Sequence, residues 1–282
     1  MVENRPLFTF LAHLTLILGV VIVALPIYVT FVASTQAPEN VLSAPIPMLP
    51  GDRLIENYSA VLGQGLERAS SGPVAPMMLN SLIMALGIAI GKIAISLLSA
   101  FAIVYFRFPG RMLAFWIIFI TLMLPVEVRI LPTYEVMATL GLLNSYTGLI
   151  VPLIASATAT FLFRQFFLTV PDELVEAARV DAAGPLRFFW DILLPLSRTN
   201  IAALFVILFI YGWNQYLWPL LITTDESMDT IVMAIQRMVV AAENEPEWHY
   251  ITAVAILALI PPVIVVVLMQ RLFVKGLVET EK

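Results

Sequence analysis

The 282-residue sequence contains no cysteine. Disulfides, thiolate metal sites and cysteine nucleophiles are therefore excluded. Histidine is nearly absent too: His13 and His249 lie far apart in different segments, which argues against a histidine-based metal site. Charge is scarce, with Asp, Glu, Lys and Arg making up 12% of the chain, against roughly 25% in ordinary soluble domains. The net charge of −5, with no basic patch or interleaved aromatic array, points away from nucleic acid. What abounds is apolar: 60% of residues are hydrophobic and the mean hydropathy is +0.94. This is the balance of an integral membrane protein.

Leu7 to Ala33 is a nearly unbroken apolar run. At ~1.5 Å per residue it crosses a hydrocarbon core of about 30 Å with length to spare. Signal-peptide apolar regions run only ~7 to 15 residues, so an uncleaved first span is expected. From Ser34 to Pro76 the chain turns polar and proline-rich, an ordered loop outside the bilayer with one short helix around Ile55 to Leu62. Further spans are expected over 77–106, 114–131, 146–168, 201–222 and 251–268. A tight basic turn, Arg107-Phe108-Pro109-Gly110-Arg111, closes the second. An amphipathic piece from Thr133 to Leu140, stopped by Gly141, leads to the fourth. Thr223 to Trp248 reads as a polar acidic loop, and Pro261-Pro262 as a kink in the last span. The expectation is an all-α membrane protein of six transmembrane helices in one domain over 1–282.

Lysine and arginine placement orients it. With the N-terminus inside, the inner segments hold ten: Arg5, Arg107, Arg111, Arg164, Arg179, Arg187, Arg198, Arg271, Lys275 and Lys282. The outer segments hold four: Arg53, Arg68, Arg129 and Arg237. Both termini and the 170–200 segment then face the cytoplasm. The outer loops carry acids, among them Asp225, Glu226, Asp229, Glu243, Glu245 and Glu247, a surface that is simply solvated or receives a soluble binding protein.

Val170 to Asn200 is the long charged stretch between two apolar runs. Pro171, Asp172 and Glu173 suit a first helical turn, where a fixed φ and negative charge are favoured. Leu174, Ala177, Ala178 and Ala182 recur at helical spacing as one small-to-apolar stripe, with Glu176, Arg179 and Asp181 pointing elsewhere. Ala183-Gly184-Pro185 is expected to end this helix, Gly184 taking positive φ. A second helix over Leu186 to Leu194 carries Phe188, Phe189, Ile192 and Leu193 and an Arg187/Asp191 pair at i,i+4, and Pro195 ends it. On pattern alone this is a helical hairpin lying on the bilayer surface.

Gly87-Ile88-Ala89-Ile90-Gly91-Lys92 resembles a phosphate loop only superficially. It has one residue too few between its glycines, no Ser or Thr after the lysine, and lies inside a span. Gly87 and Gly91 read instead as a small-xxx-small face for close helix approach. No ATP-binding motif occurs elsewhere, so ATP, if used, belongs to another chain. Lys92 costs from ~2.5 kcal/mol upward at membrane depth, so it faces protein or water. It pairs with a carboxylate or helix-end carbonyls, or serves an anion site on a transport path. Glu127 and Arg129, beside Pro125 and Pro132, pose the same choice. For Asn214 and Gln215 the choice is between a pathway and interhelical hydrogen bonds.

The order Glu176-Ala177-Ala178, Asp181, Ile192 and Leu194-Pro195 resembles the cytoplasmic "EAA" loop of ABC-importer permease subunits. The family pattern has Gly where this chain has Ala182, with Gly184 two places on. Asn80-Ser81, Ser99-Ala100-Phe101-Ala102, the 107–111 turn and the run from Trp213 to Leu220 are similar to carbohydrate-importer permeases related to the maltose system's smaller permease. Narrower matches, in Glu3-Asn4-Arg5-Pro6, Phe115 to Val136 and Ala155 to Phe167, are to the permeases of sn-glycerol-3-phosphate importers. The resemblance implies a bacterial inner-membrane permease that pairs with a second permease, two copies of a cytoplasmic ATPase and a periplasmic substrate-binding protein. It implies no cofactor on this chain, ATP and Mg being held by the ATPase. Glu176 is then the carboxylate that meets a basic residue of the ATPase, with Ala177, Ala178, Asp181, Gly184, Ile192 and Pro195 completing the coupling loop. An anionic cargo gives Lys92 and Arg129 a reason to exist.

Two other function classes fit the hydropathy. A polytopic membrane enzyme needs a paired acid or Ser/His set at membrane depth, and the spans show none. A channel working alone leaves the hairpin without a purpose.

Overall fold

The computed structural model describes residues 6–45, 47–64, 72–121, 126–242 and 247–279, and no strand occurs among them. Its principal helices are α1 (Pro6–Ser34), α2 (Val74–Tyr105), α3 (Arg111–Ile120), α4 (Val126–Thr139), α5 (Tyr146–Ile150) and α6 (Ala157–Phe167). There follow α7 (Asp172–Val180), α8 (Pro185–Phe188), α9 (Arg198–Trp213), α10 (Leu217–Ile222), α11 (Ile231–Ala241) and α12 (Trp248–Glu279). Three stretches, Leu7–Ser34, Val74–Tyr105 and Trp248–Gln270, are long and apolar enough to cross a membrane. Two bent pairs, Tyr146–Leu153 with Ala157–Phe167 at 49° and Pro185–Leu196 with Arg198–Trp213 at 72°, raise that to five if each is one span.

Two stretches depart from the sequence expectation. The span expected over 114–131 is divided between α3 and α4, with 122–125 outside the described residues. Helix α4 continues through Pro132. The Thr133 hydroxyl donates to the Arg129 carbonyl at 2.7 Å, one residue past the Val128 carbonyl whose helical donor Pro132 lacks. The expected loop over 223–248 contains α11, with Ile231, Met233, Ala234 and Met238 buried. Their spacing is helical, and the acids that suggested a loop lie at either end of it. Helix α12 contains Pro261 and Pro262, the pair read from the sequence as a kink.

The chain forms two compact units, Met1–Ala75 with Ala234–Ile260, and Pro76–Met233 with Pro261–Lys282. In the first, the end of α1 is tied down by the connection that follows it. Asn57, buried, donates to the carbonyls of Ser34 at 2.9 Å and Gln36 at 3.0 Å, and Gln36 Nε2 donates to Leu49 O at 2.7 Å. Gly51 donates its N–H to Thr35 Oγ1 at 2.8 Å, and its Cα lies so close to the Thr35 carbonyl that no Cβ fits. The described part of the proline-rich connection is thus held by side-chain bonds together with two short helices, Pro38–Val41 and Leu54–Ser59, the second where a helix around Ile55 to Leu62 was expected.

The second unit is built around α2. Lipid tails are as apolar as leucine, so spans associate by close fit rather than by the hydrophobic effect. The glycines supply that fit. A Cβ on Gly87 would lie 2.6 Å from Ile150 Cδ1, and one on Gly91 2.6 Å from Ile154 Cγ2. Gly212 of α9 brings its backbone against Ala85 in the same way, a Cβ there falling 2.9 Å from Ala85 Cα. Around these crossings Met84, Ile88, Met137, Leu149, Leu153, Trp218 and Ile222 form one buried cluster. The Trp218 indole finds its acceptor in the Gly148 carbonyl at 3.2 Å.

Gly87→Leu should therefore force α2 away from Ile150 and cost about 1–3 kcal/mol, the usual range for overpacking. The expected result is a lower melting temperature for the purified protein in detergent, partly restored by adding Ile150→Ala. An unchanged melting temperature for Gly87→Leu would show that the crossing is not close-packed.

Candidate functional site

Helix α7 opens with Asp172 and Glu173 in its first turn and closes with Arg179 in its last, both favourable to the helix dipole. Ala178 is buried and Leu174 and Val175 are half-buried, whereas Glu176, Ala177, Asp181 and Ala182 are exposed and Val180 is 86% exposed. The stripe expected from Leu174, Ala177, Ala178 and Ala182 is therefore split, Ala177 and Ala182 turning outward. The outward face carries Glu176, Ala177 and Asp181 together.

The turn after α7 also differs from expectation. Ala182, not Gly184, takes the left-handed conformation, at φ 53°. The N–H of Ala183 bonds the Ala178 carbonyl at 2.8 Å and that of Ala182 the Arg179 carbonyl at 3.0 Å, the two bonds of a Schellman cap. Gly184 is extended, at φ −68° and ψ 167°, and precedes α8. A proline at 185 pushes the residue before it out of the α region, which places the extended residue at 184 and leaves the left-handed one at 182.

Past α8 the chain makes a π turn over Phe189–Leu193, then continues through Leu194–Leu196. The stop expected at Pro195 thus falls at Ser197, whose hydroxyl donates to the Leu193 carbonyl at 2.6 Å. The wide π turn just before Pro195 loosens the ladder that its ring would otherwise break. Ile192 and Pro195 are half-buried. Arg187 pairs with Asp191 at 3.2 Å, but both are exposed and the pair contributes little. Aromatic contacts seat the hairpin: Phe189 meets Phe101 at 5.0 Å between ring centroids, Phe188 meets Tyr105 at 5.2 Å, and the Tyr105 hydroxyl donates to the Phe167 carbonyl at 3.3 Å.

A cavity of about 400 Å³ is lined by Lys92, Arg129, Ser99 and Thr121, by Ala155 and Ser156 of the break between α5 and α6, and by Thr158 and Thr160 of α6. Ser156 caps α6, its hydroxyl accepting the Ala159 N–H at 3.3 Å. Its carbonyl accepts from the Thr160 hydroxyl at 2.9 Å and the Ser96 hydroxyl at 3.3 Å. Lys92 is 7% exposed and its Nζ lies 3.8 Å from the centroid of the Tyr211 ring. Among the described residues no carboxylate pairs with Lys92 or Arg129. The Glu127 side chain lies outside the described residues. Asn214 and Gln215 do not line this cavity; they end α9, Gln215 Nε2 donating to the Tyr211 carbonyl at 3.0 Å, with Asn214 exposed.

Two asparagines fasten the other end. Asn80, buried, donates to the carbonyls of Ser227 at 2.8 Å and Asp229 at 2.9 Å and accepts from Tyr146 at 2.6 Å, while Ser81 accepts the Ile231 N–H at 2.8 Å. Asn144, left-handed at φ 52°, accepts from the N–H groups of Thr224 and Asp225 at 2.6 and 3.1 Å. The backbone N–H of Ser227, and then its hydroxyl, hold the Asp225 carboxyl below the ordinary carboxylate range. No group of His, Asp or Glu among the described residues could hold a metal ion.

Residues 92–279 match the family described as "Binding-protein-dependent transport system inner membrane component", and the chain belongs to that family. It is a multi-pass membrane transport component, not an enzyme. It is 64% identical to the sn-glycerol-3-phosphate transport system permease protein UgpE of Agrobacterium fabrum over the full length of both chains. The proteins of the same description from Rhizobium meliloti and Escherichia coli O1:K1 are 62% and 58% identical, also over their full lengths. Among solved structures, a chain of a bacterial ABC transporter involved in the import of the acidic polysaccharide alginate superposes with a TM-score of 0.79, at 20% identity, covering 96% of this chain and 98% of that one.

An alanine in the left-handed region costs roughly 1 kcal/mol or more over glycine. Ala182→Gly should therefore slow hydrogen exchange at the amides of Ala182 and Ala183, and Ala182→Val should speed it. Faster exchange in the glycine variant would contradict the cap assigned to Ala182.

Proposed function

We propose that this chain is the permease subunit of an ATP-driven importer of sn-glycerol-3-phosphate. It works beside a second permease, two copies of a cytoplasmic ATPase that hold ATP and Mg, and a periplasmic binding protein. Six spans cross the inner membrane with both termini and the hairpin in the cytoplasm. The observation that carries this proposal is the outward face of Glu176, Ala177 and Asp181 on a hairpin rigidly seated against α2, in a chain 64% identical along its whole length to an sn-glycerol-3-phosphate permease.

The geometry gives the coupling a path. ATP-driven closure of the ATPase displaces the docked hairpin as a rigid body. The Phe101, Tyr105, Phe188 and Phe189 rings pass that motion to α2, and Ser197 alone separates the hairpin's last helical turn from α9. These two helices carry Lys92 and Tyr211, so motion of the hairpin alters the polar cavity. Gly184, Ile192 and Pro195 set the hairpin's shape, and Lys92, Glu127, Arg129, Asn214 and Gln215 belong to the route, which the second permease completes.

Replacing Glu176 by lysine puts like charges together where an acid meets a base, a loss of about 2–5 kcal/mol for a desolvated pair. In the reconstituted importer, Glu176→Lys should insert normally yet lower ATP-driven uptake of sn-glycerol-3-phosphate at least about tenfold. Normal uptake would refute docking through Glu176.

A further inference from the structure

The cavity beside Lys92 has a property that coupling does not require: among the described residues its lining brings two cations together and no carboxylate. Lys92 is on α2 and Arg129 on α4, and both line a space of about 400 Å³. Burying an ammonium is expensive at membrane depth, and a cation is ordinarily matched by a carboxylate. Among the described residues no such match is made; the ammonium rests on the face of the Tyr211 ring. An aromatic face is a weak substitute, giving about 0.5–2 kcal/mol.

The rest of the lining is mixed, Ile95, Ile117 and Ile118 standing beside hydroxyl-bearing residues and a helix start. The span formed by α5 and α6 is interrupted there, and the break presents the Ser156 cap and the start of an 11-residue helix. Discontinuous spans of this kind turn a positive helix end toward anionic groups. Thr121, Thr158 and Thr160 also line the space, although the Thr121 hydroxyl is committed to the Ile118 carbonyl and that of Thr160 to the Ser156 carbonyl. The volume exceeds what a phosphate group and a three-carbon polyol require.

From this we infer that the cavity is a phosphate subsite within this subunit, with Lys92 and Arg129 as its cations. Two positive charges match the dianion of a phosphomonoester better than the single charge of a diester. The Tyr211 ring holds the Lys92 ammonium while the site is empty, and the arriving phosphate takes the ammonium over. Because Tyr211 lies on α9, the helix that follows the hairpin, cargo and ATPase meet at one contact. The inference rests on the importer function proposed above for its cargo, though the anion site itself does not.

The test uses the purified permease–ATPase complex without binding protein, with sn-glycerol-3-phosphate as probe and glycerol as neutral control, followed by equilibrium dialysis. The wild type should bind the phosphate ester and not glycerol. Lys92→Met and Arg129→Met should each weaken binding by about tenfold or more, as loss of a charge-assisted contact does, and Lys92→Arg should retain most of it. Co-purification of the ATPase shows which variants assemble, and if Lys92→Met does not, Arg129→Met decides. Equal binding by wild type and an assembled methionine variant, or no binding by wild type, overturns the inference. Uptake by the wild-type importer with loaded binding protein tests the cargo separately. Uptake together with unchanged binding in Lys92→Met removes the subsite and leaves the importer standing. Binding lost in Lys92→Met without uptake by wild type removes the cargo assignment and leaves the anion site.

Discussion

A bilayer offers no hydrogen-bond partner to a backbone that leaves its helix, so every interruption of a span must be repaired by protein or must line water. Among the described residues of the second unit the helix is interrupted at 154–156, within a bent apolar pair, and at 214–216, within the stretch 201–222 expected as a span. The first is repaired by Ser156, whose hydroxyl caps α6, and by hydroxyl donors to its carbonyl. The second is closed by Gln215, which bonds the Tyr211 carbonyl. The interruptions are affordable because α2 stands straight beside them, its glycines letting Ile150, Ile154 and the backbone at Gly212 come within contact. The cavity with its two cations exists because the first break is there.

Hairpin and cavity share two helices. The aromatic cluster joins the hairpin to the far end of α2, and a single residue separates it from α9. A stiff connection of packed rings transmits displacement because such packing has few intermediate arrangements. On the coupling proposed above, force that enters at the hairpin reaches the cavity along these same helices.

The hairpin and most of the helices could be read from the sequence because their signals are local. Pro171 with Asp172 and Glu173 marks a helix start, and the α7 helix begins there. Gly141, at φ 66°, ends α4 as expected, and Gly87 and Gly91 mark the crossing that the structure builds. The misplaced features depend on neighbours in sequence that compete. Gly184 invites the left-handed conformation, but Pro185 forces it extended and Ala182 must accept the strain. The acids flanking α11 masked its helical spacing. The cavity was half legible: Lys92 and Arg129 stand out as cations at membrane depth, whereas Tyr211 looks like any aromatic in a span until α2 and α9 are brought together. Asn80 and Asn144 are likewise silent, since their partners lie 147 and 80 residues away in sequence.

The central claim is that the exposed face of this hairpin is gripped by a separate ATPase. The absence of cysteine makes a direct measurement simple, because Ala177→Cys introduces a single thiol on that face. In the assembled importer, a short bifunctional reagent should join this thiol to the ATPase in high yield, and the yield should change when ATP is added. A hairpin thiol that stays open to solvent and uncross-linked in an ATPase-containing, transport-competent assembly would contradict the account.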